Sequence, residues 1–570
     1  MVSALGTDQK VWSAIIAAGV TGFIYFLAKL YAARKAIWRM QRANLPIPDF
    51  SFIGGHFPVL KSVMRVLPSD SIIHNIMWKI SEDYPKGIFY ISLWPFSGTV
   101  MVVADAEAAS QLDALPLAKG IDIIVPLEKV TGGRSLLTMK GDEWKRWRRL
   151  FNPGFSLGYM MGLAPAIADE VAVFRQKLLD ICAGGHTKVF QLEDLTLRMT
   201  FDIIGSVVLL VSWGPLARQL MSLTLEHRDT RLHHQKQDHP LALALRKQIE
   251  WTSFREPLNP LEKYLTIRPL ILWLNGKKVD QFIFAETDRI LSERFRDDPG
   301  PNDVTRSKSI ASLFIDEYLK EVGGKESDND AKQAIKNTIT PQVRLFLFAG
   351  HDTTSSTLLY CYKLLSDNPD VLSRVVTEIR DTFGPDPSQV QNRIHEDPQL
   401  LNRTPYTVAF IKEVLRIYPP AGALRQGRSD VQVVDEDGRV YPTEGCNVWT
   451  LSLAIHHSPK HWKDPEACIP DRWLVGPEDP LYPPKGAWRP FEWGPRNCIG
   501  QTLAMLELRI ALAMTVREFS LTPAYDEWDE LHPKTGINTV NGNRAYQAIK
   551  GGGGAHPADG FPVKLALRAH

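Results

Sequence analysis

Residues 491–500 constrain this chain more than any other segment. They read F-E-W-G-P-R-N-C-I-G and place one cysteine, Cys498, shortly before an apolar helical run over residues 503–516. The unpaired N–H groups at the start of a helix stabilise a thiolate, and a thiolate is a soft, anionic ligand for a metal such as iron. A lone cysteine after a loop is usually an inert buried residue, so its neighbours decide between the two interpretations.

Four neighbours of Cys498 suit a porphyrin. Gly494 and Gly500 permit backbone angles, or a close approach to a flat ligand, that a Cβ would forbid. Arg496 offers a planar fork of donors to a propionate, and Phe491 can shield the sulfur. The segment fills every specified position of F-x-x-G-x-R-x-C-x-G and resembles the haem-thiolate loop of cytochromes P450. By that resemblance Cys498 is the axial iron ligand and the cofactor is haem b.

The composition bounds the class of protein. The chain has 570 residues, 44% of them hydrophobic, which is enough for a large core, and its formal net charge of +2 argues against a nucleic-acid partner. Its five cysteines are scattered and form no C-x-x-C pair, which argues against a disulfide framework or a zinc site and suits a reducing compartment. They are Cys182, Cys361, Cys446, Cys468 and Cys498.

An uncharged run over residues 11–28 predicts a membrane anchor. A helix of this length spans roughly 27 Å, close to a thin bilayer core. Basic residues follow the run, so the positive-inside rule places the rest of the chain in the cytosol. A cleaved signal peptide is the alternative, but it would carry its basic residues before the run. The basic residues here are Lys29, Arg34, Lys35, Arg39 and Arg42.

These features predict four segments. Residues 1–10 form a short lumenal tail, residues 11–30 a transmembrane helix, and residues 31–50 a basic linker that Pro46 and Pro48 stiffen. No clean linker or repeat follows, so we expect one catalytic domain over residues 51–570.

A second motif lies on a predicted helix over residues 404–418. Thr404 as N-cap and Pro405 at the first helical position predict where the helix begins. Glu413 and Arg416 are three residues apart and share a face, although E-x-x-R alone is a weak signal. Arg472, in the downstream segment C-I-P-D-R-W, is a candidate third member of a buried charge cluster.

In the P450 family such a cluster forms a structural lock beneath the haem. This chain departs from the family pattern at three positions. Asp471 stands where Glu is common, and Cys468 and Trp473 stand where Phe is common. None of the three departures removes a charged member of the lock.

Residues 345–357 read L-F-L-F-A-G-H-D-T-T-S-S-T and change abruptly from apolar to polar. They resemble the A-G-x-D-T-T signature of the helix that crosses above the haem. The resemblance implies that Gly350 leaves room over the iron and that Asp352 and Thr353 form an acid–alcohol pair that supplies protons. Ala349 replaces the glutamate that makes a covalent haem ester in some relatives. The alternative is that a helix begins at Thr353 with these residues as its cap.

The Thr340–Pro341 pair leaves the start of this helix open. It marks either the true beginning of the helix or a kink within it.

Residues 141–149, G-D-E-W-K-R-W-R-R, match the family's W-x-x-x-R with Trp144 and Arg148, which then bind a haem propionate. The other propionate would meet Arg425, with Arg428 as a competing candidate. The basic residues beside Trp144 either dock an acidic electron donor or form a solvated helix surface. They are Lys145, Arg146 and Arg149.

The joint match implies the P450 fold, mostly α with small β-sheets, and a haem-thiolate monooxygenase. One oxygen atom from O2 enters an apolar small molecule, with electrons from an NADPH–cytochrome P450 reductase, and cytochrome b5 as a possible second donor, at the endoplasmic reticulum. The segment over residues 345–357, which resembles the oxygen-binding helix, and the cysteine loop are most similar to those of eukaryotic hydroxylases of fatty-acid-like substrates. The tail is most similar to that of fungal secondary-metabolism enzymes. The alternatives are a P450-fold isomerase or dehydratase and a non-catalytic haem protein.

Overall fold

The computed structural model describes residues 2–94, 97–184, 188–209, 240–252, 266–294, 309–322, 329–422, 424–549 and 554–568. The chain is mostly helical in these ranges, as predicted. The helices are Val2–Arg42 (α1), Phe57–Met64 (α2), Ile73–Ser81 (α3), Ala106–Asp113 (α4), Ile121–Thr131 (α5), Gly141–Phe151 (α6), Leu157–Gly162 (α7), Ala164–Ala183 (α8), Glu193–Leu209 (α9), Pro240–Thr252 (α10), Arg268–Arg294 (α11), Ile310–Val322 (α12), Asn329–Asp367 (α13), Pro369–Phe383 (α14), Val390–Glu396 (α15), Pro405–Ile417 (α16), Ser452–His456 (α17), Gln501–Thr515 (α18) and Tyr525–Leu531 (α19).

Short strands form small sheets beside the helices. They are Ile88–Ser92 (β1), Thr99–Val103 (β2), Phe190–Gln191 (β3), Leu424–Gln426 (β4), Gln432–Val434 (β5), Val440–Pro442 (β6), Cys446–Thr450 (β7), Phe519–Pro523 (β8), Gln547–Ile549 (β9), Ala555–Pro557 (β10) and Pro562–Leu567 (β11). One sheet has the order β1-β2-β7-β4 and another β3-β11-β8, while β5–β6 and β9–β10 are antiparallel pairs. Only β2 and β7 pair in parallel among the described strands.

Helix α13 runs through the main hydrophobic core and packs against α9 along much of its length. Hydroxyl groups join the two helices: Thr196 and Ser355 lie 2.7 Å apart, and Thr200 donates to the carbonyl of His351. These polar groups between the two helices are therefore paired, as their burial requires. The prediction that Thr340–Pro341 starts the helix is wrong, since Pro341 lies inside α13.

Helix α1 extends beyond the predicted anchor. Its apolar part is long and apolar enough to cross a membrane. The helix continues through residues 31–42, which the sequence had indicated as linker, and Arg34 and Ile37 are buried there. Arg34 donates to the carbonyl oxygens of Phe52 and Ile53 at 2.6 and 3.0 Å. These contacts attach the end of α1 to the catalytic domain.

Helix α16 begins at Pro405 with Thr404 as its N-cap residue, as predicted, but the Thr404 side chain does not cap the helix. The Thr404 hydroxyl donates to the Leu401 carbonyl instead. Glu378 of α14 supplies the cap, because its carboxylate accepts from the backbone N–H groups of Tyr406 and Thr407 at 2.7 and 2.8 Å. A carboxylate also suits the positive end of the helix dipole.

Candidate active site

Cys498 lies in the loop that leads into α18. Its backbone N–H donates to the Phe491 carbonyl at 2.8 Å, which closes the loop, and Gly500 is the N-cap of the helix. Burial raises the pKa of the Cys498 thiol, although hydrogen bonds from Gly500 and Gln501 and the charge of Arg148 act in the opposite direction. A coordinated metal ion deprotonates a thiol outright, so bound iron would itself stabilise the thiolate form of Cys498.

The Cys498 side chain is accessible on the side that borders a cavity, although protein surrounds the rest of it. It borders a cavity of 380 Å³ that Arg148, Asn497 and Met505 also line. Cys446, in contrast, is buried within strand β7, its Sγ is 3.6 Å from the Glu444 carbonyl, and burial raises its pKa to about 12. Cys498 therefore has the access that a metal ligand needs.

Glycine occupies the two loop positions 494 and 500 in different structural settings. Gly494 has a φ of 78°, and a Cβ there would lie 2.0 Å from the Asp113 carbonyl oxygen. Gly494 thus serves a close approach between two protein segments. A Cβ on Gly500 would lie 3.8 Å from the Cys498 sulfur, an ordinary contact distance.

Buried and half-buried cations lie beside the cysteine loop. Arg148 donates to the carbonyl and side-chain oxygens of Asn497 at 2.9 and 3.0 Å, and Arg496 stacks over Trp144 at 4.5 Å. Arg425 is loosely held, with Nη2 3.5 Å from Glu492. The remaining member is Lys119, which the sequence interpretation missed because an isolated lysine carries no motif.

We call four of these residues the cation cluster: Lys119, Arg148, Arg425 and Arg496. Among the described residues, Glu492 is the carboxylate that acts on Lys119 and Arg425, so the cluster carries surplus positive charge there. Burial, with repulsion from Arg425 and Arg496, lowers the pKa of Lys119 to about 7 against the attraction of Glu492. Burial, Arg425 and Arg148 likewise lower the pKa of Arg496 to about 10. Uncompensated buried charge is costly, so the cluster calls for an anionic ligand.

Arg425 and Arg428 differ sharply in their surroundings. Arg425 is largely buried beside Glu492, whereas Arg428 is half-exposed and pairs with Asp430 at 2.6 Å. The surroundings support Arg425 as the residue that meets the ligand.

The A-G-x-D-T-T segment lies in the middle of α13, so the alternative of a helix beginning at Thr353 is wrong. Ala349 is exposed beside the buried Phe348, and the Thr353 hydroxyl donates to its carbonyl at 2.9 Å. The packing of α9 explains the glycine at position 350, apart from any room over the iron, because a Cβ there would lie 2.8 Å from Ile204. It permits the close packing of α9 on α13.

Asp352 and Thr353 do not contact one another through their side chains. Asp352 is buried and accepts from the Gly554 N–H at 2.7 Å, and its other oxygen lies 3.0 Å from Nε2 of His556. Burial raises the pKa of Asp352, but the charge and hydrogen bond of His556, with His351 and Gly554, outweigh it, and the pKa is lowered. The two members of the expected acid–alcohol pair thus have separate partners.

Glu413, Arg416 and Arg472 meet in a fully buried cluster, here called the lock. Arg416 binds both carboxylate oxygens of Glu413 at 2.8 and 3.0 Å, and Arg472 binds one at 3.0 Å. Trp473 donates its indole N–H to Glu413 at 3.1 Å, a bond that the commoner Phe could not make. The remaining donors of the two arginines reach five backbone carbonyls: His456, Pro465, Ala467, Lys463 and Asp464.

The basic residues of α6 are paired within the chain. Arg146 and Arg149 lie 2.9 and 3.6 Å from Glu321, and Lys145 lies 2.9 Å from Asp142. They are exposed, so the pairs are weak and leave the surface open to competition by a partner.

The apolar residues before Arg425 and Phe346 of α13 differ in burial. Leu424 is half-buried and Ala421 exposed, whereas Phe346 packs against Phe151 and Phe155 at 5.0 and 5.2 Å, within the core. Ala423 lies outside the described residues.

The residues present fit haem. An accessible cysteine at a helix start and a surplus of buried cations beside it match a thiolate-ligated iron and two propionates. The sequence also matches the family described as Cytochrome P450 over residues 54–547. The chain belongs to the cytochrome P450 family. As a P450 it is an oxidoreductase that binds haem.

Curated relatives agree across nearly the whole chain. Cytochrome P450 monooxygenase polC of Polytolypa hystricis is 35% identical over 551 residues, which is 96% of this chain and 93% of the relative. Cytochrome P450 monooxygenase acrF of Aspergillus aculeatus is 31% identical over 527 residues, 88% of this chain and 98% of the relative. Leukotriene-B4 omega-hydroxylase 3 of Mus musculus is 26% identical over 532 residues, 92% and 93% respectively. These similarities and the apolar α1 helix indicate a membrane-anchored monooxygenase.

Proposed function

We propose that this P450 inserts one oxygen atom from O2 into an apolar small molecule, with electrons from NADPH through a membrane-bound flavoprotein reductase. The observation that supports this most is the accessible Cys498 beside the cation cluster, with the A-G-x-D-T-T turn of α13 in the same core. Bound haem supplies the oxygen chemistry, and a cysteinate ligand favours cleavage of the O–O bond.

The residues of this chain hold the cofactor and manage protons. Cys498 binds the iron, while Trp144 and the cation cluster hold the propionates. Phe491 fixes the loop through its carbonyl, and the lock supports the fold beneath. The Thr353 hydroxyl donates to the Ala349 carbonyl and would exchange that bond for one into the site, and Asp352 carries the carboxylate nearest to it in sequence.

Two classes of apolar substrate have support. Relatives named as fungal monooxygenases favour a secondary metabolite, and the leukotriene hydroxylase favours a lipid-like chain. The higher identity and coverage of the fungal relative polC favour the first class.

The basic residues after the apolar run favour the cytosol for the catalytic domain and the lumen for residues 1–10. We place the protein in the endoplasmic reticulum membrane with a single span. A reductase, and cytochrome b5 as a second donor, would then share this membrane.

The deciding experiment compares difference spectra of the reduced, carbon-monoxide-treated protein with those of Cys498→Ser. We expect the red-shifted Soret band of a thiolate-ligated haem in the wild type and its loss in the variant. Cys446→Ser is the matched control and keeps the band. Loss of the band in Cys446→Ser alone would contradict the assignment.

A second measurement separates the alternatives. Product formation that needs both NADPH and O2 supports monooxygenation. Conversion without either would show isomerase or dehydratase chemistry, and absence of turnover across a broad apolar library would favour a haem carrier.

A further inference from the structure

A histidine from the C-terminal part of the chain lies between two buried carboxylates. His556 of β10 has Nε2 3.0 Å from Asp352 of α13 and Nδ1 2.7 Å from Glu193 of α9. The three side chains are 2%, 9% and 1% exposed respectively. The contact to Asp352 is a hydrogen bond, and the contact to Glu193 lies outside hydrogen-bond angles and is an ion pair only when the imidazole is protonated.

The two residues before His556 also form hydrogen bonds with α13. The Gly554 N–H donates to Asp352, and the Ser356 hydroxyl donates to the Ala555 carbonyl. A Cβ on Gly554 would lie 2.6 Å from the Asp352 carboxylate, so glycine is required for this approach. Three consecutive residues, 554–556, thus contact one stretch of α13.

The charges explain why the contact matters. A buried carboxylate without a partner becomes protonated, because burial disfavours its charged form. Among the described residues, His556 and the Gly554 N–H hydrogen-bond Asp352, while His351 adds favourable charge beside it. Arg246 of α10 acts on this region through His351.

We propose that His556 is a positioning residue for Asp352. It bridges Asp352 to Glu193, so that the Asp352 carboxylate stays an anion with a fixed orientation. The bridge itself follows from the contacts. Its effect on turnover rests on the proposed function, in which Asp352 takes part in proton supply. The C-terminal strand pair would then determine the state of a residue 204 positions earlier in the chain.

The first test reads the protonation of Asp352 without turnover. Infrared difference spectra of the full protein at pH 7 compare the wild type with His556→Phe, which removes the donor and keeps a ring. We expect a carboxylic-acid C=O stretching band in His556→Phe that disappears in His556→Phe/Asp352→Asn and persists in His556→Phe/Glu193→Gln. His556→Gln retains a donor and should show no band.

Two outcomes would overturn the proposal: no acid band in His556→Phe, or a band that only the Glu193→Gln substitution removes. His395→Phe is the matched control, since His395 and Asp169 form the same pair at 2.8 Å on the surface and should give no band. If His556→Phe does not fold, His556→Met replaces it, because its flexible side chain fits the site without a donor.

The second test measures product formed per NADPH consumed. Removing a positioning partner of a proton-supplying group should lower this ratio by about fivefold or more in His556→Phe, with His556→Gln restoring most of it. Equal loss in both variants, or no loss in either, would contradict a positioning role. The infrared result stands whether or not the enzyme is a monooxygenase, so failure of one proposal is distinguishable from failure of the other.

Discussion

The lock and the cation cluster both hold buried charge, but only one of them is complete. In the lock, two arginines and one carboxylate are fully buried, and backbone carbonyls accept the remaining arginine donors. In the cation cluster, Glu492 is the one carboxylate among the described residues that acts on Lys119, whereas Arg425 and Arg496 carry the same positive charge as the lysine. A satisfied cluster serves the fold, whereas a cluster with surplus charge indicates an anionic ligand.

The largest effect is expected from breaking the lock. Glu413→Gln leaves two buried arginines without their carboxylate and should destabilise the protein by about 3–5 kcal/mol, with loss of haem. Chemical unfolding and haem content measure both effects. The matched control is Glu317→Gln, from an exposed i,i+3 pair with Lys320 at 2.7 Å, which should change stability by less than about 0.5 kcal/mol. A folded, haem-loaded Glu413→Gln protein would contradict the comparison.

The next effect distinguishes the two arginines that the sequence left open. Arg425→Gln should weaken haem retention about tenfold, because a charge-assisted bond to a propionate is lost. Arg428→Gln, at the surface, should leave retention unchanged. Transfer of haem to an acceptor protein measures both. An equal effect of the two substitutions would remove Arg425 from the site.

Lys119 sharpens the comparison, because removing it should have opposite effects with and without haem. Lys119→Met should weaken haem retention yet stabilise the haem-free protein, since a surplus buried cation is removed. The folded pKa of about 7 lies below the ordinary 10.5, so the unfolded chain binds the extra proton between these pH values. Stability of the haem-free wild type should therefore rise with pH across that window, and the variant should lack this rise.

A smaller change tests the departure from the family at Trp473. Trp473→Phe removes one indole donor from Glu413 and should cost about 1–2 kcal/mol without loss of the lock. Chemical unfolding provides the value. A cost as large as that of Glu413→Gln would mean that the indole, and not the arginines, provides most of the stabilisation of the Glu413 carboxylate.

The smallest effect is expected at Asp471, which lies beside the lock but at the surface. It pairs with Arg374 at 2.6 Å, and both side chains are about half exposed. The hydrogen bond from Arg374 lowers the pKa of Asp471, so the contribution is present at neutral pH and lost as acid protonates the carboxylate. Asp471→Asn should cost less than about 1 kcal/mol at pH 7 and nothing in strong acid or high salt.

The sequence predicted features whose geometry is local. Glu413 and Arg416 share a face because they are three residues apart, and the loop before Cys498 closes through a bond between Cys498 and Phe491. The start of the helix at Pro405 also followed from a short-range pattern. Thr404 shows the limit: its residue type suited a cap, but Glu378 from another helix provides it.

By itself the sequence determined the type of protein, the cysteine and the charged motifs, because each depends on residues within one turn or loop. Tertiary structure alone decided the partners of those residues. Lys119 joins the cation cluster, and His556 bridges Asp352 to Glu193, through contacts between segments hundreds of residues apart. Burial then makes such contacts decisive, because a charge removed from water must find its counter-charge wherever the fold brings one.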